Sequence, residues 1–398
     1  MPLIKDDIKN KRSLIIIDAK GDKNIIKQIN KSVRDFGREK DFQPFILDEV
    51  ERSCTYNPLQ KGNSTQLKDK IISAMDWPTN LFSTDSSHYK NKCANALQIL
   101  FNEHNEKKDK EPLTLSQVYD ILQNSDINQY PKLAKFLKNN LKDISSLTTE
   151  LSLLINSEFG SLFESPKGEI DFMDAYKNNK IIYFSLNTQS YSKAATKLGK
   201  IITEELKILN GEIINSDFKD RHPMGIFIDE FQLFGTESFM DILATGRTSG
   251  FMILLSITCI EDLDKIGGKA YRAQIIQNTN IKIAMKMNNM ESAKALSDVL
   301  GVYKTIERTH QTIVDRIFSR LHTITEKVVD KKIIPTQVFL ELKIFEAILI
   351  HGKNSDKIIC DPIFPNVKNE PLPPIRHRKN PDKDQSSSNK PQPPKSVF

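Results

Sequence analysis

Residues 225–230 read Gly225-Ile226-Phe227-Ile228-Asp229-Glu230: an apolar run that ends in two consecutive acids. Such a run, too short for a helix and apolar at every position, suits a strand buried on both faces. The same texture recurs outward along the chain. Ser13–Asp18 (SLIIID), Pro44–Leu47, Ile181–Leu186 (IIYFSL), Phe251–Ile257 and Phe345–Ile350 are short apolar runs, and Ile281–Met287 (IKIAMKM) alternates like a half-buried strand. Between them lie stretches with helical spacing. Ile25, Ile26, Ile29 and Val33 mark one within 23–36; Leu198, Ile201, Ile202, Leu206 and Leu209 mark another within 193–209. A third, 291–300, is closed by Gly301. Strands alternating with helices predict an α/β fold with a mostly parallel sheet covered on both faces. In such sheets ligands sit at the carboxyl ends of the strands, where Asp18, Asp229, Glu230 and Thr258 fall.

From about Gln66 to Phe163 the texture changes. Glycine disappears until Gly160, and apolar residues recur at helical spacing (Leu97, Leu100; Leu133, Phe136, Leu137, Leu141), which predicts an all-α insert. The 398 residues carry a net charge of +6 and are 38% hydrophobic, a globular composition. No apolar run approaches the roughly 18 residues of a membrane span. Cys54, Cys93, Cys259 and Cys360 are widely separated, so neither a zinc site nor a disulfide framework is indicated. A chain that is cytosolic, or that faces the cytosol, is expected. From Asn366 onward seven Lys/Arg stand against three acids, with seven prolines and the run Ser386-Ser387-Ser388, which predicts a disordered basic tail.

Asp229-Glu230 has the Walker B form. A rigid strand would hold the first carboxylate near Mg²⁺, and the second could orient and deprotonate an attacking water. The plain alternative is a strand end with solvated acids. Asp18-Ala19-Lys20-Gly21-Asp22 closes the first strand, as a polar turn with Gly21 at positive φ or as part of a nucleotide site. Gly246-Arg247-Thr248-Ser249-Gly250 is either a glycine-capped helix end with a solvated arginine, or the carrier of an arginine finger, Arg247, that reaches a neighbouring subunit's phosphates. Thr258 is a γ-phosphate sensor or an ordinary β-branched strand residue.

Together and in this order the segments resemble the TraD/TraG-type coupling proteins of type IV secretion and conjugation. The resemblance is carried by SLIIIDAKGD (13–22), Tyr56-Asn57-Pro58-Leu59, IIYFSLNTQSYSKAATKLGKIITEEL (181–206), IFIDEFQLFG (226–235), LATGRTSGFMILLSITCIEDL (243–263) and NTNIKIAMKMNNMESAKALSDVLG (278–301). It covers roughly residues 13–362, and 226–301 looks like the TraM-recognition region. It implies a hexameric RecA-like motor at the inner membrane that uses ATP and Mg²⁺ to deliver relaxosome-bound single-stranded DNA or protein to a secretion channel. Partners would be TraM-like relaxosome proteins, single-stranded DNA and channel components. The site residues implied are Asp229 for Mg²⁺, Glu230 and Arg247 for catalysis, and Asp18, Lys20 and Thr258 for the nucleotide. The expected parts are 1–60 and 166–362 as the two portions of the RecA-like domain, 61–165 as the all-α insert, and 363–398 as the disordered tail.

The sequence departs from the family in two places. It contains no G-x-x-x-x-G-K-[ST]; the nearest string, Gly267-Gly268-Lys269-Ala270, lacks the earlier glycine and the hydroxyl residue. In the family that loop and its strand precede the IIIDAKGD-like strand, which here begins near Met1. The expectation is a coupling-protein chain lacking the first strand and phosphate loop, not an ATPase alone, the loop either supplied by a separately encoded N-terminal fragment or lost upstream through a shifted start. The alternatives are a non-enzymatic relaxosome or single-stranded-DNA adaptor, or a remnant. Thr258 also stands where the family has glutamine. The expected location is cytoplasmic, or peripheral on the inner membrane through partners.

Overall fold

Every residue of β1 (Ser13–Asp18) is buried in the computed structural model, because the strand is covered on both faces and paired on both edges. The structure describes residues 1–75, 84–107, 110–124, 127–217, 219, 221–314, 320–352, 354–360, 367 and 369–376. They form two compact units.

The first unit comprises Met1–Phe234, Thr248–Ser256 and the segment from Val367. Its strands are β1, β2 (Phe42–Ile46), β3 (Ile181–Ser185), β4 (Met224–Ile228) and β5 (Phe251–Leu255). They form one parallel sheet in the order β2-β3-β1-β4-β5. Helix α1 (Pro2–Lys9), which the sequence reading did not anticipate, buries Ile4 and Ile8 against the sheet. Helix α2 (Lys23–Asp35) starts where the Asp22 carboxylate caps the Asn24 N–H and buries Ile26, Ile29 and Val33.

Between β2 and β3 the described residues hold only helices: α3 (Ser64–Ala74), α4 (Thr84–Asn105), α5 (Leu115–Gln123), α6 (Pro131–Asn140), α7 (Ser145–Ile155) and the short α8 (Phe172–Lys177), besides single 3-10 turns. Reciprocal capping boxes, Asn63 with Gln66 and Thr114 with Gln117, set the starts of α3 and α5. The long helix α9 (Thr188–Ile214) follows β3. Two buried lysines tie these helices to it: Lys197 of α9 pairs with Glu150 of α7, and Lys70 of α3 with Glu205 of α9. Lys70 Nζ also donates to the carbonyls of Pro58 (2.9 Å) and Lys61 (2.8 Å).

The second unit spans Gly235–Arg247 and Ile257–Asn366. It holds most of α10 (Phe239–Ser249), then α11 (Asp264–Asn278), β6 (Ile281–Met285), α12 (Met290–Leu300), β7 (Val302–Val314), β8 (Arg320–Lys332), α13 (Thr336–Glu341), β9 (Glu346–His351) and β10 (Asn354–Ile359). Here the sheet expectation needs correction. β6 and β9, read as members of the parallel sheet, pair antiparallel in a separate sheet of order β10-β9-β6. Only two residues, one of them Gly352 at φ +62°, join β9 to β10, and so short a link permits only an antiparallel pair. β7 and β8 form a two-stranded ribbon that the sequence reading passed over.

The segment expected to be a disordered tail is in part fixed to the first unit. Val367 is buried, Leu372 packs on the sheet core, and Glu370 pairs with Lys31 and Arg34 of α2. The Arg376 N–H donates to the Glu51 carbonyl (2.8 Å), and its guanidinium pairs with Glu169 (2.5 Å). Two apolar residues and three ion pairs supply the anchoring that composition alone does not reveal. The remaining tail residues, 377–398, lie outside the described residues.

The Lys70–Glu205 pair yields a stability test. Burial pushes the Glu205 carboxyl up, and Lys70 opposes that shift. Lys70→Met strands a buried carboxylate and two carbonyls, so urea unfolding should show a loss of about 3–5 kcal/mol. Adding Glu205→Met should restore a substantial part of it.

Candidate functional site

The site is assembled where β1 and β4 end side by side. The parallel register pairs Ile17 with Ile228, and the Asp229 N–H donates to the Ile17 carbonyl (2.9 Å). The turn after β1 therefore abuts the turn after β4.

Asp18 shapes the first turn. Its Oδ1 accepts the N–H of Lys20 (2.9 Å) and of Gly21 (3.1 Å), an Asx turn, and its Oδ2 accepts the hydroxyl of Tyr183 on β3 (2.7 Å). Burial pushes its carboxyl up despite those bonds, and burial pushes the Tyr183 phenol well up. Gly21 is required: its φ is +66°, and a Cβ there would lie 3.0 Å from Asn187 Cβ and 3.1 Å from Ser185 Oγ.

This turn delivers Lys20 to the acids. Its Nζ lies 3.1 Å from Glu230 Oε1 and 3.7 Å from Asp229 Oδ2. Glu230 raises the Lys20 ammonium above its ordinary range, and Asp229 and Asp18 add to the effect. Glu230 has a left-handed backbone (φ 49°, ψ 49°), uncommon for a residue with a side chain. The flanking contacts enforce it: the Phe231 N–H donates to the Ser256 carbonyl (2.9 Å), and Phe231 and Phe234 are fully buried. Gln232 Nε2 donates to Glu230 Oε2, so that carboxylate is held from two sides, while Gln232 Oε1 is buried with no hydrogen-bond partner.

Four of the six expected residues, Asp18, Lys20, Asp229 and Glu230, thus converge in the first unit. Arg247 and Thr258 belong to the second unit. Arg247 is exposed in the last turn of α10, with Gly250 at φ +85° just beyond, which is the geometry of a capped helix end. Thr258 is exposed three residues past the end of β5. Sequence reading missed Tyr183 and Gln232. Tyr183 is a polar tip inside an apolar strand run, a pattern that signals a buried hydroxyl seeking a partner.

The donor set can be tested against a metal. Among the described residues no group of three or more His, Cys, Asp or Glu could hold an ion. Asp229 and Glu230 supply two carboxylates at a strand end, both partly exposed. Mg²⁺ is commonly bound by one or two carboxylates completed by substrate phosphates and water. The residues therefore fit a Mg²⁺ that arrives with a nucleotide, not a resident ion. Among the described residues no helix is long and apolar enough to cross a membrane.

Residues 223–343 match the family described as the TraM recognition site of TraD and TraG. The type 4 coupling protein DotL of Legionella pneumophila is 24% identical over 343 residues, which are 69% of this chain and 43% of DotL. In these stretches the chain is similar to type IV coupling proteins. Solved structures of the coupling protein TrwB share the fold. The unbound form has a TM-score of 0.63 at 13% identity, over 88% of this chain and 78% of that one. The complex with the non-hydrolysable ATP analogue ADPNP has a TM-score of 0.62 at 12% identity, over 93% and 81%. The complex with ADP and Mg²⁺ has a TM-score of 0.55 at 11% identity, over 94% and 88%. These likenesses show a TrwB-like fold, a five-stranded parallel sheet with helices and a helical insert. The chain spans less than half the length of DotL.

The Tyr183–Asp18 bond gives the test of how the turn is held. Tyr183→Phe leaves a buried carboxylate oxygen without its donor, and denaturant titration should show a loss of about 1–3 kcal/mol.

Proposed function

We propose that this chain is the metal-and-water half of a coupling ATPase that moves a conjugative or secreted substrate. The carrying observation is the convergence of Lys20, Asp229 and Glu230 on adjacent strand ends. In this reading the cofactor is ATP with Mg²⁺. Asp229 holds the metal through its strand-end carboxylate. Glu230, next along the chain, orients and deprotonates the attacking water. When bound, the metal neutralises charge on the phosphate oxygens. The Asp18–Lys20 turn and Thr258 face the nucleotide, and Arg247 acts on a neighbour's nucleotide in a hexamer. The partners are TraM-like relaxosome proteins, single-stranded DNA and channel components, which hold the chain at the cytoplasmic face of the inner membrane.

The phosphate grip comes from a segment outside these 398 residues, which contain no G-x-x-x-x-G-K-[ST]. The sheet supports this. β5 is one of its two edge strands among the described residues, the one beyond β4. The Met224 N–H bonds to the Gly250 carbonyl and the Ser256 N–H to the Ile228 carbonyl, so the even-numbered residues of β5 face β4. By parity the N–H and C=O groups of Phe251, Ile253 and Leu255 face the open edge. Met252 and Leu254 are each 40% exposed. An apolar parallel edge of this kind favours an added strand over water.

Two measurements test the reading. Mixing the chain with a phosphate-loop-bearing coupling-protein segment should produce ATP turnover that Glu230→Gln lowers about 10²–10⁴-fold. Turnover indifferent to that change would refute the assignment. Ile253→Pro removes an edge-facing N–H without breaking the β4 ladder. It should leave the melting curve close to that of the parent and abolish the rescue by the added segment.

A further inference from the structure

The reading above uses Glu230 as a base, yet the structure holds that carboxylate in an ion pair. Lys20 Nζ is 3.1 Å from Glu230 Oε1 and 3.7 Å from Asp229 Oδ2, and Gln232 holds the other Glu230 oxygen. The ammonium therefore faces both carboxylates from a turn that is itself fixed. Asp18 and Gly21 set the backbone of Lys20, and Tyr183 fixes Asp18. Lys20 remains 53% exposed, so its side chain has room to swing away without disturbing the core.

We propose that Lys20 is a tethered counter-cation: it neutralises Asp229 and Glu230 in the nucleotide-free chain, and a divalent cation displaces it. The inference deepens the proposed function by naming a positioning residue that the chemistry must move. A carboxylate paired with an ammonium is a poor base and a poor metal ligand, because the lone pairs that would take a proton or a cation already face a positive charge. The fixed turn keeps the ammonium near at no cost in translational freedom. Only a competing cation at the acids, or an anion that draws Lys20 away, opens the site. Nucleotide-bound metal brings both. Its cation goes to Asp229, and its phosphates offer Lys20 a new partner of opposite charge.

The test needs neither nucleotide nor phosphate loop. Mn²⁺ binding to the full chain is measured by electron paramagnetic resonance, at fixed ionic strength, for the parent, Lys20→Met, Lys20→Arg and Lys20→Met with Asp229→Asn. Removing a unit charge a few ångströms from the acids should tighten Mn²⁺ about tenfold in Lys20→Met. Lys20→Arg should bind as weakly as the parent, and the added Asp229→Asn should cancel the gain. Equal affinity in the parent and Lys20→Met, including no binding in either, overturns the proposal, as does a gain that survives Asp229→Asn. A failed Glu230→Gln turnover test would remove the ATPase reading and leave this result standing on its own.

Discussion

The parallel pairing of β1 with β4 is the constraint on which the site depends. In a parallel ladder both strands end at the same side of the sheet, so the turns that follow them emerge together. With Ile17 opposite Ile228 and the Asp229 N–H on the Ile17 carbonyl, no slack remains between the two turns. A slip of one residue would send every side chain of β1 to the opposite face, exposing half of an apolar strand that is now wholly buried. The burial that stabilises the sheet is thus also what fixes Lys20 opposite Asp229 and Glu230. The same register explains Asp18. At the end of a central strand it has β3 on one side and β4 on the other. It turns its carboxylate to Tyr183 and to its own turn, while the acids of β4 are left for Lys20.

How much of this was legible in the sequence depends on whether the signal was local. Strands β1, β3, β4 and β5 were plain, since a strand covered on both faces must be apolar at consecutive positions. The acids at their ends were plain for the same reason. The ribbon β7–β8 was not. Its residues alternate charges and β-branched side chains without an apolar face, and only pairing reveals that Ile306 meets Val328 and that Arg308 meets Glu326. The Gln232 contact and the left-handed backbone of Glu230 were also hidden, because both are imposed by the burial of Phe231 and Phe234 around the turn. The anchored part of the tail failed a compositional reading for a related reason. Prolines and charges dominate it, yet Leu372 and the Glu370 pairs decide its position.

The open edge of β5 and the filled site have a common logic. Parallel sheets are stable when both faces and both edges of the interior strands are covered. β5 has the composition of an interior strand, FMILL, with Met252 and Leu254 left partly in water. Sequence and position therefore disagree at this one strand, whereas they agree at β1, β3 and β4. Natural edges carry charges, prolines or bulges, and the five residues of β5 hold neither a charge nor a proline.

Helix α9 joins these features mechanically. At its start, the Thr188 N–H and hydroxyl both donate to the carbonyl of Ala19 (2.8 and 3.0 Å), the residue between Asp18 and Lys20. In its middle, Gly199 lies against the ring of Phe234, where a Cβ would fall 2.1 Å from Phe234 Cδ1, and Thr203 Oγ1 donates to the Phe234 carbonyl (3.2 Å). Phe234 closes the turn that carries Glu230. Between and beyond those contacts, Lys197 and Glu205 bind α7 and α3 through buried ion pairs. One helix, kinked at Tyr191 (φ −116°, ψ 30°), therefore touches the Lys20 turn with its first residue and the Glu230 turn and the helical insert with the part beyond the kink. Buried ion pairs add little net stability over apolar packing, but they tolerate very little change in geometry. Their placement on α9 makes a shift of the insert relative to the sheet costly unless the helix moves too. A shift of the part beyond Tyr191 takes Phe234 with it, and Phe234 closes the turn whose acid pairs with Lys20.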